Sequence, residues 1–247
     1  MKLTTTLIIF LTLVSCKERS TSFEEIQCSP STTSENDNIG QVFKPCRQYI
    51  YQAKYWDEDY NLISDELIWM MATGKDWDAQ PELQDEIIIQ YNYSEDKIDE
   101  IKKFGINKTL DYPWERKVIT GIIENKNQTF MHPFRQNQYA FTEVAPFPSV
   151  NFPLEIGKTW DSNMNISGWG DWAESTLKES YEVIGRDSIE LPIGVLQAWH
   201  VRGIAYADFG NSQNDFWYNE KFGFVKTIIK NYKNQLLKFE LQEIIEE

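Results

Sequence analysis

Histidine and cysteine are scarce in this chain, with two of the first and three of the second in 247 residues. The signatures that usually carry chemistry are missing with them. No Gly-x-Ser-x-Gly elbow presents a serine, and no thiol is left over once two cysteines pair, which argues against serine and cysteine hydrolases. His-Glu-x-x-His and Cys-x-x-Cys are absent, so no metal centre is expected. Residues 161–165 (Asp-Ser-Asn-Met-Asn) begin like a calcium loop, but Ile166 replaces the glycine at its sixth position and Trp172 the glutamate at its twelfth. They read as a strand edge. No glycine loop that could cradle phosphate precedes a helix start, since Gly168-Trp169-Gly170 runs on into Asp171-Trp172-Ala173. Basic clusters are lacking too, and the net charge of −14 argues against nucleic acid and against docking on anionic lipid by a basic patch. The expectation is a non-enzymatic protein without cofactor.

The one apolar run is short. Residues 3–14 follow Lys2 and end at Leu13-Val14-Ser15-Cys16, the layout of a secretory signal. As a helix they would rise about 18 Å against roughly 30 Å of hydrocarbon, too little for a permanent span. The cysteine at the cut resembles the lipobox of bacterial lipoproteins. The resemblance implies a signal peptide over residues 1–15, acyl chains on Cys16 and attachment to a membrane of the cell envelope, the outer membrane in this reading. Two lipid signals already suffice for stable anchoring. Cys28 and Cys46 then remain as an even pair in an oxidising compartment and are disulfide candidates. A bridge between them would close a loop of roughly twenty residues and stabilise by about 3 kcal/mol.

Residues 16–40 are rich in Ser, Thr, Glu and Asn and read as a lipidated flexible tether. Residues 41–247 read as a single domain, because no shift of composition divides them. Aromatics make up 14% of the chain, a bias that suits half-buried pleated strands. Period-two alternation begins with Tyr49, Tyr51, Ala53 and Tyr55 on one face and continues through a hairpin, a strand over residues 86–93 and a second hairpin at Asn125-Lys126-Asn127. Ser94 offers an N-cap to one short helix that Gly105 would stop. Pro133, Pro146, Pro148 and Pro153 break up the middle, leaving residues 139–144 as a short strand. Six more strands follow residue 157. The fold expected is mainly β, an antiparallel curved sheet or incomplete barrel or sandwich of about eleven strands with one or two short helices.

Few residues stand out as binding candidates. His132-Pro133-Phe134-Arg135 puts an imidazole and a guanidinium beside a rigid proline, a setting for an anionic group or simply for a tight turn. Trp169 and Trp172 are candidates for an exposed aromatic contact beside paired carboxylates, which a glycan hydrolase would need. His200 is read as structural.

Two C-terminal stretches carry a further resemblance. Leu191-Pro192-Ile193-Gly194-Val195-Leu196-Gln197-Ala198-Trp199 and Phe216-Trp217-Tyr218-Asn219-Glu220-Lys221-Phe222-Gly223-Phe224-Val225-Lys226 are similar to a strand–turn–strand signature of uncharacterised Bacteroidetes lipoproteins whose β domain is like LolA/LolB. The first departs from that signature, which reads Pro-Ala-Gly where this chain has Pro192-Ile193-Gly194. The resemblance implies an envelope lipoprotein, and carriers of that kind hold acyl chains in a concave sheet. Two functions follow as expectations, in addition to the minor one of glycan hydrolysis: a scaffold module that meets an unknown envelope protein, or a carrier of a hydrophobic ligand. They differ in whether the concave face is an empty apolar hollow or is filled by the protein's own Trp and Tyr.

Overall fold

The computed structural model describes residues 42–103, 114–166 and 175–246. The signal peptide, Cys16, the tether and Cys28 lie outside the described residues, as do Trp169 and Trp172. The strands are β1 (Gln48–Trp56), β2 (Leu62–Asp76), β3 (Asp85–Tyr91), β4 (Lys117–Glu124), β5 (Gln128–Met131) and β6 (Ser149–Asn151), then β7 (Thr159–Ile166), β8 (Ser175–Leu191), β9 (Gly194–Ala207), β10 (Gly210–Asn219), β11 (Gly223–Lys230) and β12 (Leu236–Ile245). Helix α1 covers Glu95–Lys103, and a 3₁₀ helix covers Asn137–Val144. All twelve strands form one sheet, in the order β6-β5-β4-β3-β2-β1-β12-β11-β10-β9-β8-β7.

That order is two antiparallel meanders joined where β1 pairs with β12. The edges of the sheet, β6 and β7, are also consecutive in the chain. The connection between them, residues 152–158, is too short to span a flat sheet of this width, so the sheet must curl until its edges approach. Contacts across the closure agree. Lys158 Nζ donates to the carbonyls of Asn151 and Pro153 at 2.7 and 2.8 Å, and the hydroxyls of Thr129 on β5 and Tyr218 on β10 lie 3.2 Å apart. The result is a nearly closed antiparallel barrel, as the alternation of the sequence leads one to expect.

Alternation sets the faces. Tyr49, Tyr51, Ala53 and Tyr55 of β1, Leu237, Phe239 and Leu241 of β12, and Phe216 and Tyr218 of β10 are all buried in one apolar cluster on the concave side. Ser94 caps α1 as expected, its Oγ accepting from the Lys97 amide at 3.2 Å. Ile98 and Ile101 point from α1 into the same cluster.

Both resemblance stretches form strand–turn–strand units, β8 to β9 and β10 to β11. Gly223 opens β11 with φ +73, and a Cβ there would come 2.6 Å from Val42 Cγ1. Its backbone conformation and its neighbour both demand glycine.

Residues 139–144 are a correction to the sequence reading, for they belong to the 3₁₀ helix and join no ladder. Prolines on both sides withhold ladder donors, and every residue from 138 to 148 is buried. A strand on a half-exposed sheet alternates; a segment surrounded on all sides does not.

Candidate functional site

The concave face is occupied by the chain itself. Residues 134–148 run along it, and their aromatic rings meet those of the strands. Phe134 packs edge-on against Tyr51 at 5.2 Å and Phe239 at 4.6 Å between ring centroids. Tyr139 meets Phe239 at 5.7 Å and Tyr91 at 6.2 Å, and Phe141 meets Tyr55 at 5.2 Å. Such pairs stabilise beyond their buried area, by about 0.5–1.5 kcal/mol each.

Polar contacts fix the same segment at its two ends. Near its start Gln138, fully buried, donates to the hydroxyls of Tyr93 at 2.7 Å and Ser64 at 3.2 Å. Near its end Asn214 Nδ2 donates to the Pro146 carbonyl at 2.8 Å. The Tyr181 hydroxyl lies 3.2 Å from the Phe147 carbonyl and 3.2 Å from Glu179 Oε2. Burial lifts the Glu179 carboxyl to about 7. As a neutral acid it can donate to Tyr181, which then donates to Phe147, so the chain of bonds closes without a buried charge. Pro146 approaches the sheet at Gly203, where a Cβ would be 2.6 Å from the proline Cβ.

Glu179, Ser212 and Asn214 escaped the sequence reading, although a signal existed. They break the apolar alternation of β8 at Leu177-x-Glu179-x-Tyr181 and of β10 at Ser212-x-Asn214-x-Phe216. Two of the three mark places where backbone of another segment is held, Asn214 directly at Pro146 and Glu179 through Tyr181 at Phe147.

The His132 and Arg135 candidates are brought close but not into one site. His132 sits among the rings of Trp77, Phe130 and Phe147, at 5.6, 5.1 and 5.5 Å, and neither ring nitrogen has a hydrogen-bond partner among the described residues. Burial, helped by the Arg135 charge, pulls its pKa down to about 3. It is a neutral ring in an aromatic box, unsuited to holding an anion. Arg135 turns to Glu143, 5% exposed, with Nη1 2.8 Å from Oε1.

His200, read as structural, stands on the convex face in a cross-strand ladder. Its ring stacks on Trp217 at 4.5 Å and 15°, and Nε2 lies 2.8 Å from Asp215 Oδ1. Arg202 Nε donates to the same oxygen at 2.8 Å, Trp217 Nε1 donates to Asp187 at 2.8 Å, and Lys226 lies 5.0 Å from the Trp217 ring. Burial works to raise the Asp215 pKa, but the bonds from His200, Gln213 and Arg202 outweigh it and hold the carboxyl below its ordinary value.

An open crevice of about 310 Å³ lies at the rim, lined by Glu124, Lys126, Thr129, Phe152, Tyr218 and Glu220 among others. Glu124 is committed there, accepting the amides of Val42 and Phe43 at 2.9 Å each. Such a lining does not suit an acyl chain. Among the described residues no group of three or more His, Cys, Asp or Glu could hold a metal ion, and no helix is long and apolar enough to cross a membrane.

No protein-family model and no curated protein matches the chain. Solved structures similar to it include one described as a lipoprotein, from Parabacteroides distasonis, at 11% identity and TM-score 0.41, over 83% of this chain and 97% of that one. An exported protein with YmcC-like fold from Bacteroides fragilis is similar at 10% identity and TM-score 0.41, over 83% and 98%. The hypothetical lipoprotein YmcC from Escherichia coli is similar at 9% identity and TM-score 0.38, over 86% and 93%. At these values no function is carried across from them.

Proposed function

We propose that this chain is a lipid-anchored, non-catalytic protein of the bacterial cell envelope, attached through Cys16 to the outer membrane, whose β domain meets a partner protein through the outside of its sheet. One observation carries the choice between scaffold and carrier: residues 134–148 fill the concave face with the chain's own Phe134, Tyr139 and Phe141. An acyl carrier needs that volume empty or easily emptied. Here, emptying it would strip aromatic packing and leave Asn214 and Tyr181 without their partners, the Pro146 and Phe147 carbonyls, and would part Gln138 from Tyr93 and Ser64. The convex face supplies what a protein partner recognises. Trp217, Arg202 and Lys226 stand there in a rigid ladder, with Tyr206 45% exposed on the same side.

Native mass spectrometry of the protein extracted from envelope membranes tests this reading. The expected mass is that of the chain and its covalent acyl groups alone; a lipid bound noncovalently at one per chain would overturn it in favour of the carrier. A photo-crosslinker in place of Tyr206, activated in intact envelopes, is expected to capture one dominant protein.

A further inference from the structure

The register of five strands draws cations from distant parts of the chain onto one patch of the convex face. Three successive cross-strand rows run over β9, β10, β11, β12 and β1, each taking one outward residue from every strand. The first row starts at His200 and ends at Gln52, the second runs from Arg202 to Lys54, and the third from Ile204 to Trp56. This grid holds five cations, Arg202, Lys226, Lys230, Lys238 and Lys54, and two carboxylates, Asp215 and Glu240. Its net +3 leaves −17 on the rest of a chain whose total is −14. Glu182 and Asp65 border the second row at its two ends. Counted in, they make five cations against four carboxylates, still the reverse of the whole chain with its 24 Lys and Arg against 38 Asp and Glu. Because the cations come from positions 54, 202 and 226–238, no short stretch of sequence reads as basic.

Both carboxylates of the grid are occupied from within it. Asp215 bonds His200, Arg202 and Gln213, and Glu240 lies 3.3 Å from Lys226 and 2.7 Å from Lys238. Lys230 is exposed and joins no ion pair among the described residues. Lys54 stands directly opposite Lys238 on the neighbouring strand, an arrangement of like charges that destabilises a sheet. Each leans to a carboxylate on its far side, Lys54 to Asp65 at 3.3 Å and Lys238 to Glu240. A sheet that keeps a repulsive pair on its outer face points to a use for the charge beyond folding. Trp217 and Ile228 lie among the cations, so apolar contact is offered beside charge. Every strand of the grid is paired on both sides, which keeps the cost of ordering it on binding low.

We infer that this grid seats an acidic surface of the partner protein, with Lys230, Lys238, Lys54 and Arg202 meeting its carboxylates and Trp217 its apolar side chains. The inference rests on the reading that the outside of the sheet meets a protein, and it names that protein's chemistry. Charge complementarity carries it: the grid is the place where an acidic partner escapes the repulsion of a chain at −14. Size favours a protein over a lipid surface. Five strands and three rows span about 19 by 14 Å, the centre of an interface of about 800 Å² per partner. An anionic bilayer would extend beyond that patch and meet the −17 of the remaining residues.

A deca-glutamate peptide titrated into the Cys16→Ser chain, followed by amide and indole NMR signals, probes the grid without the partner. Signals of Arg202, Trp217, Lys226 and Lys238 are expected to move saturably, with binding weakened on the order of fivefold from about 20 to about 200 mM salt. Lys230→Gln/Lys238→Gln is expected to weaken binding by a further factor of about five, with a urea midpoint no lower than the parent's because the Lys54–Lys238 repulsion is relieved. Lys117→Gln, on β4, is expected to change nothing. Deca-lysine or a neutral peptide moving the same signals as strongly, or no saturable movement at all, would overturn the inference. So would phosphatidylglycerol vesicles that move them at lower concentration than the peptide. In intact envelopes, capture by the crosslinker at Tyr206 is expected to fall about fivefold in the double variant. Undiminished capture would overturn the acidic partner and leave the partner-protein reading standing. Peptide binding at the grid with no protein captured at Tyr206 would overturn the partner-protein reading instead.

Discussion

Glu179 and His132 are buried groups whose ionisation the fold resists, and their effects on stability have opposite signs. For Glu179, burial raises the pKa from 4.5 to about 7. Between those values the folded state binds the extra proton, so stability falls as pH rises through that window. Glu179→Gln keeps the neutral shape and removes the titration. Urea unfolding at pH 8 is expected to find the variant more stable, on the order of 2 to 3 kcal/mol, with the difference vanishing near pH 4.5. His132 goes the other way, because burial lowers its pKa from 6.5 to about 3. There the unfolded chain binds the extra proton, and stability falls as pH drops below 6.5. His132→Phe, which suits a box of three aromatic rings, is expected to gain about 2 kcal/mol at pH 5 over its effect at pH 8. Between pH 4.5 and 6.5 the two titrations oppose each other, and the parent protein is expected to show a flattened profile there. His132 was visible in the sequence as a singular residue, but its environment was not: Trp77 and Phe147 are far from it or across a proline, and only folding brings their rings around the imidazole.

The segment 134–148 decides what the barrel can hold. Phe134 is 1% exposed and wedged between Tyr51 and Phe239. Phe134→Ala is expected to cost about 3 to 5 kcal/mol, read as a lower midpoint in urea, and to open a hollow that binds a hydrophobic dye. A carrier whose plug leaves by design would instead bind the dye before the substitution and lose little stability after it. The strands themselves were legible because they are half-buried: alternation in Tyr49-x-Tyr51-x-Ala53-x-Tyr55 and in Leu237-x-Phe239-x-Leu241 is the imprint of one wet and one dry side. Residues 138–144 have no wet side, so they left no period to read. In the long β8–β9 hairpin the second strand was legible nearly to its full extent and the first only as far as Gly185. β8, Ser175–Leu191, runs on past the point where the core pattern fades.

At the scale of the whole molecule, the proposed anchor at Cys16 and the barrel are expected to act as separable devices. Cys16→Ser is expected to abolish acylation and move the protein from the membrane fraction to the soluble one, with the far-ultraviolet spectrum of the domain unchanged. Retention in the membrane would mean that a partner or the barrel, rather than the acyl chains, holds it there. What the sequence determined by itself was local or compositional: the resemblance of residues 1–16 to a signal and lipobox, the absence of familiar catalytic motifs, and a curved antiparallel β fold. Alternation and turn chemistry act over a few residues, and each strand carries its own copy of the message. Tertiary structure alone decided that β1 pairs with β12, that the edges curl together, and that the hollow expected from a carrier-like sheet is occupied by the chain's own residues 134–148. Those facts depend on contacts between residues up to about two hundred positions apart in the chain, such as the one between Tyr55 and Gln235. No short window of sequence contains both partners.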